Sequence, residues 1–324
     1  MRRLQSEREA LQKEVEQLRV RLEANHSPFF HYQTTFPAEE LIRRHAVPDL
    51  KPDAAHRTNF LGVRINPKFV PAILQGTENT VESVPIPANW HADIAEWAAA
   101  LRAVELAQSR FTMIELGCGW GCWMNNTGVA ARRLGLEVEL IGVEGDAAHI
   151  GFAHEACATN GFASDQIHLY RGIAAAQSGV ALFPRQTHGG TDWGLAPVFG
   201  ANEDQRAAAA RAGTHDELPL VALAEIIGAR AKIDLLHIDI QGGEADLIAR
   251  CIDLLCDKVA YLVIGTHSRE IEGRIFENLL QSKWLLEIER PAIFNLTPAG
   301  PHVTVDGVQG WRNPRLFSGA GQRT

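Results

Sequence analysis

No apolar run in the 324 residues approaches the roughly 20 needed to cross a bilayer, and the first residues are charged helix formers without the apolar centre of a signal peptide. A cytoplasmic protein is expected. Basic residues are in deficit: Lys and Arg number 31 against 39 Asp and Glu, giving a formal charge of -8 and a pI near 5.9. Nucleic-acid affinity rests on clustered Lys and Arg, so no nucleic-acid partner is expected. Cysteine is sparse. Its five positions (Cys118, Cys122, Cys157, Cys251, Cys256) are odd in number and lack a pair of CxxC knuckles, which sets aside a disulfide framework or a structural zinc site. What the chain does have is apolar content, at 46% hydrophobic and 22% charged residues, enough for one large core with appendages.

Leu4, Leu11 and Leu18 recur every seven residues, with Val15 and Leu22 between them. This short heptad seam predicts a coiled-coil helix over 1–24, joining copies of the chain or docking on a partner enzyme. Residues 25–87, rich in Pro and polar side chains, are expected to wrap the core irregularly, with one helix opening at Pro37. Trp90, Ile94, Trp97, Leu101 and Val104 space an amphipathic helix over 88–108. From Phe111 onward, apolar runs (FTMIEL, VELIGVE, IHLY, IDLLHIDI, YLVIG, WLLEIE) alternate with helical stretches, and a last strand is expected between Val303 and Trp311. The alternation predicts an α/β, Rossmann-like domain over 88–324, with a seven-stranded, mostly parallel sheet and helices on both faces. An insertion over 179–217 would overhang the cleft.

The segment Glu115-Leu116-Gly117-Cys118-Gly119-Trp120-Gly121 follows the first of these runs and opens a helix. Gly117, Gly119 and Gly121, with Cys118 between them, suit a backbone that turns sharply against a ligand. The third glycine falls one place early for the dinucleotide fingerprint GxGxxG. Glu115 ahead of the turn would repel a pyrophosphate, but could hold the ammonium of a methionine moiety through water or its neighbours. Glu144, followed by Gly145, ends the second strand, where a carboxylate accepts from ribose hydroxyls; Asp146 suits a helix cap better. Gly172 and Ile173, at the end of the third, are candidates for packing on an adenine ring.

ELGCGWG, then GVEGD, then LLHIDIQGGEADLI together resemble the FkbM-type methyltransferases over about residues 111–290. The resemblance implies a class I methyltransferase sheet, S-adenosylmethionine as donor, and an oxygen acceptor on a natural product or carbohydrate. Two positions depart from the family, which commonly has Lys at His237 and Glu at Gln241.

Methyl transfer to an alcohol is an in-line displacement, so the protein must align the acceptor oxygen and remove its proton. His237 and Asp239 share one side of the fourth strand and lead into Gln241-Gly242-Gly243-Glu244, at the carboxyl end where open parallel sheets bind substrates. Asp239 is the first catalytic candidate, as base or as a ligand to a divalent cation. His267, after the fifth strand, is a candidate base with an unperturbed pKa suited to neutral pH. Arg171, Gln241, Glu244 and the insertion's Trp193 are candidates for gripping the acceptor, Trp193 by stacking on a sugar ring. The expected function is methyl transfer to a sugar hydroxyl on a small-molecule or oligosaccharide acceptor. Its rivals are a nicotinamide-dependent oxidoreductase and a catalytically degenerate scaffold with a coiled-coil helix.

Overall fold

Each apolar run from Phe111 onward becomes a strand of one sheet. In chain order the sheet strands are β1 (Gln33–Thr34), β2 (Arg110–Leu116), β3 (Glu137–Glu144), β4 (Ile167–Arg171), β5 (Leu235–Ile238), β6 (Tyr261–Thr266), β7 (Leu285–Arg290) and β8 (Gly307–Arg312). The computed structural model describes residues 27–317, so the heptad stretch 1–24 lies outside the described residues. Across the sheet the order is β1-β7-β8-β6-β5-β2-β3-β4. Neighbours from β4 to β6 run parallel, while β8 is antiparallel to both β6 and β7. The sheet thus has eight strands where seven were expected. The addition is β1, two residues from the amino-terminal extension that pair with Glu289 and Ile288 of β7.

β5 is buried throughout and lies directly beside β2, with His237 in register with Glu115. After β2 the chain winds outward through β3 and β4, then returns to β5. The crevice beyond the carboxyl ends of β2 and β5 is therefore the switch point where such sheets receive ligands.

The helices are α1 (Ala38–His45), α2 (Ile94–Leu106), α3 (Cys122–Arg133), α4 (Ala147–Thr159), α5 (Glu203–Ala212), α6 (Glu244–Lys258) and α7 (Arg269–Gln281). α2 begins six residues later than its periodicity suggested, because Asp93 caps it by accepting from the amides of Ala95 (2.8 Å) and Glu96 (3.2 Å). Trp97 and Leu101 go into the core, whereas Trp90 falls outside the helix and lines a cavity. Leu41, Ile42, Phe60, Leu61 and Phe69 of the extension bury in the same apolar cluster as α2. Side-chain hydrogen bonds from Asn59 to Asn126 (2.6 Å), and from the Arg64 amide to Asn160 (2.8 Å), fasten the extension to α3 and to the end of α4. The insertion is folded: Ile173–Ala175, Gly179–Pro184 and His215–Ala222 make a three-stranded sheet carrying α5.

Candidate active site

A cavity of about 390 Å³ opens at the carboxyl ends of β2 and β5. It runs from His237 and Asp239, past the Gly117–Gly119 turn and Glu144, to Gly172, Ile173 and Phe183. Gly117 takes φ +75°, and a Cβ there would stand 2.0 Å from the carbonyl oxygen of Asp239. Only glycine lets the turn approach β5 so closely. Gly121 also has positive φ, but it lies at the start of α3 rather than among the cavity-lining residues. Gly119, Cys118 and Gly145 line the cavity. Burial pushes the Cys118 thiol well above its ordinary pKa, and the charges of Glu115 and Glu144 add to this, so it stays a neutral wall group.

Both acids are committed to the backbone. Glu115, 2% exposed, accepts from the amides of Trp123 (3.1 Å) and Met124 (2.9 Å), neutralising the open first turn of α3. Glu144 accepts from Gly119 (2.9 Å) and Asp146 (2.7 Å), tying the glycine turn to the end of β3. Asp146 is the cap of α4, accepting from Ala148 and His149.

Burial pushes the Glu115 carboxyl up to about 7, despite the nearby His237 charge and the two amides. The folded state then keeps a proton that the unfolded chain releases near its ordinary value. Stability therefore falls as pH rises between those two values. Urea titrations at pH 5 and 7.5 should show wild type losing roughly 2 kcal/mol more than Glu115→Gln over that interval. Parallel losses in the two proteins would mean that Glu115 ionises normally.

No protein-family model matches the chain. A protein of Jannaschia sp. (strain CCS1) described as "Putative methyltransferase" is 45% identical over 259 residues, spanning 80% of this chain and 92% of that protein. The chain belongs to that methyltransferase family. Among solved structures it is similar to a precorrin-6y C5,15-methyltransferase from Geobacter metallireducens GS-15 (9% identity, TM-score 0.37, 66% of this chain and 86% of that one). A human methyltransferase 10 domain containing protein is comparable (11%, TM-score 0.37, 71% and 84%).

At the β5 end of the cavity the methyltransferase gathers linked titratable groups: Asp239, His237 and Glu96 line it, and His267 and Glu244 lie behind Asp239. Asp239 stands partly open, 3.3 Å from His267 Nε2 and 3.3 Å from Gln241 Nε2. Burial opposes its charge, but the bond to His267, with the charges of His267, His237 and His91, outweighs burial and holds the carboxyl below its usual range. His267 lies between Asp239 and Glu244, with Nδ1 3.1 Å from the Glu244 carboxylate. Burial disfavours the charged ring, yet these two acids raise His267 to about 10. The two acids thus favour the protonated ring, which works against His267 as a proton acceptor at neutral pH. His237, 3% exposed, bonds through Nε2 to Glu96 (3.0 Å), which also accepts from Trp123 Nε1 (3.1 Å). Burial works against its charge, while Glu96, Glu115 and Asp239 raise its pKa on balance.

Three acceptor candidates already have partners within the methyltransferase. Arg171 turns outward to Asp216 (2.5 Å), which it shares with Arg185. Glu244 is fully buried beneath its turn, accepting from the amides of Ile240 and Gly242 (both 3.1 Å). Trp193 stacks flat on His149, centroids 3.9 Å apart and 3° from parallel. Its ring covers Gly119 of the glycine turn, in the middle of the cavity. Gln241 alone of the four lines the cavity near Asp239. Glu96 and His91 escaped the sequence reading. Asp93-x-x-Glu96 is a capping-box pattern that could have placed the helix start and left His91 outside it.

Proposed function

We propose that the methyltransferase binds S-adenosylmethionine in the glycine-turn cavity and methylates a sugar hydroxyl, as an FkbM-type oxygen methyltransferase. One observation carries this reading. A single continuous cavity has Asp239 at one end, Glu144 beside a wide glycine turn in the middle, and an apolar slot of Ile173, Phe183 and Leu195 at the other. The donor's parts need that sequence of chemistry, since a methyl-bearing sulfonium must face the acceptor group, a ribose needs a carboxylate, and adenine needs apolar walls. Glu144 keeps unused lone pairs for ribose hydroxyls while its bonds fix the turn. The donor, when bound, supplies an electrophilic methyl group. Asp239, ionised and partly open, accepts a hydrogen bond from the acceptor hydroxyl and aims its oxygen.

Asp239, Glu244 and His267 bring ligand atoms within 4.8 Å of one another, a spacing that a divalent cation could bridge. Glu244 already accepts from the amides of Ile240 and Gly242 through one oxygen, and His267 would bind a cation only as the neutral ring. The proposed chemistry uses none.

Calorimetric titration with S-adenosylmethionine and NADH in parallel, before and after chelation, tests the donor. Micromolar binding of S-adenosylmethionine alone, unchanged by chelator, is expected. Glu144→Ala should weaken that binding by about 1.5 to 3 kcal/mol, because a charged acceptor is lost and two amides are left bare. Unchanged affinity in the variant would remove Glu144 from the ribose site, and binding of NADH instead would replace the reading altogether.

A further inference from the structure

A smaller cavity, of about 300 Å³, shares Trp90, Glu96 and Asp239 with the first and takes none of its lining from the insertion. The insertion's side chains therefore serve whatever the first cavity holds. The walls of that first cavity contain five acidic side chains and neither Lys nor Arg, a lining that favours a cation. S-adenosylmethionine is one, with a sulfonium, an ammonium and a single carboxylate.

Its ammonium still lacks a partner. Glu115, the acid expected from the sequence to hold it, gives one oxygen to the amide of Trp123 and the other to that of Met124. Glu144 is bonded to Gly119 and Asp146 and faces the ribose. Glu96 already accepts from His237 Nε2 and Trp123 Nε1, and Asp239 is paired with His267. The fifth acid is Asp192 of the insertion. Its carboxylate accepts from the amide of Gly194 (3.1 Å), and among the described residues no Lys, Arg or His pairs with it.

The insertion crosses the first cavity from side to side. Gly190 presses on the Phe69 carbonyl, the Trp193 ring covers Gly119, and Gly194 reaches Gln241 beyond β5. A Cβ at Gly194 would stand 3.9 Å from Asp192 Oδ1 and 4.0 Å from Gln241 Oε1, so two acceptor oxygens flank one point. The Gln241 amide is oriented to accept there, because its Nε2 donates to Asp239 (3.3 Å). Gln241 also holds φ +56°, a left-handed conformation that a residue with a Cβ seldom adopts, and such positions cluster at ligand clamps.

We propose that Asp192 and Gln241 clasp the ammonium of S-adenosylmethionine, the insertion supplying the charge that the acid of the glycine turn does not. The inference rests on the donor reading above. The sulfonium carries three groups. Its ribose goes to Glu144 and its methyl toward Asp239, which leaves the aminoacyl chain to the space beneath the insertion, where these two oxygens stand. An ammonium has three donors and no acceptor, so a carboxylate beside a carbonyl oxygen suits it and would repel a phosphate.

Calorimetry on the full chain compares S-adenosylmethionine, S-adenosylhomocysteine and 5′-methylthioadenosine, the last of which keeps adenine, ribose and sulfur but has no ammonium. Asp192→Asn should weaken the first two roughly 10–30-fold and leave the third within about twofold. Gln241→Gly, which tolerates the left-handed backbone, should cost the same two ligands about threefold. A loss under about twofold for S-adenosylhomocysteine in either variant would overturn the clasp. Equal losses for all three ligands would overturn it too, making Asp192 a support of the cavity wall rather than a contact. A wild-type chain that binds none of the three would instead overturn the donor reading beneath the proposal.

Discussion

Asp239→Asn should lower kcat for methyl transfer by roughly 10²–10³, while S-adenosylmethionine affinity stays within about threefold. The asparagine keeps the size and one acceptor oxygen, so packing at the end of β5 is preserved. What disappears is the negative charge that holds His267 from one side and faces His91 and His237 from the other. A second readout follows from the same loss. With one of its two carboxylates gone, His267 should titrate below the value of about 10 that it has in wild type. Histidine-resolved NMR titration of the variant, beside single-turnover transfer from radiolabelled donor, measures both effects. Full activity would take Asp239 out of the chemistry; a normal His267 with lost activity would leave Asp239 catalytic but not responsible for charging the ring.

Gly117→Ala should be the most damaging methyl group that can be added to the molecule near the site. Its Cβ would overlap the Asp239 carbonyl oxygen at 2.0 Å, and neither partner is free to retreat. Asp239 is anchored by its amide to the carbonyl of Leu116 (3.1 Å), and the Gly117 amide by the carbonyl of Val143 (3.0 Å). Relief requires parting the turn from β5. Left-handed strain of about 1–2 kcal/mol and overpacking of about 1–3 kcal/mol together predict a loss of roughly 2–5 kcal/mol. Gly135→Ala is the control, because Gly135 has φ +81° with nothing within 4 Å of its Cβ. It should lose only the strain. Thermal unfolding of both variants, with S-adenosylmethionine titrations, separates the two contributions. Equal losses would mean that the close approach at Gly117 does not matter, and the glycine turn would then be a matter of backbone angle alone.

The sheet could be read in the sequence because its strands are buried on both faces, so FTMIEL, VELIGVE and YLVIG appear as unbroken apolar runs. β1 could not, since two residues carry no period and their pairing with Glu289 and Ile288 joins distant parts of the chain. For the acids, strand-end position was legible and partnership was not. Glu115 and Glu144 stand where the pattern puts them, but which amides they satisfy depends on how the turn curls back over α3 and β3. Trp193 shows a different limit. The insertion follows β4, beyond β3 from β5, and strand order does not report that its Trp193 folds back over Gly119. His91 and Glu96 meet His237 and Asp239 only through the packing of α2 on the sheet, and no sequence spacing reports that register.

The first cavity draws its walls from Val70 and Trp90, from the glycine turn, from Trp193 and Phe199, and from the end of β5. Gly190 of the insertion comes so near the Phe69 carbonyl that a Cβ there would stand 2.3 Å away. The chamber thus exists only once stretches far apart along the chain have closed on one another, each closure opposed by loop entropy that no local hydrogen bond repays in advance. Its last walls to dock during folding should be its first to open under mild denaturant, so that the ability to hold a ligand fades while the central strands still protect their amides from exchange. A ligand bound across those walls would act as a staple between segments that share no sequence neighbourhood.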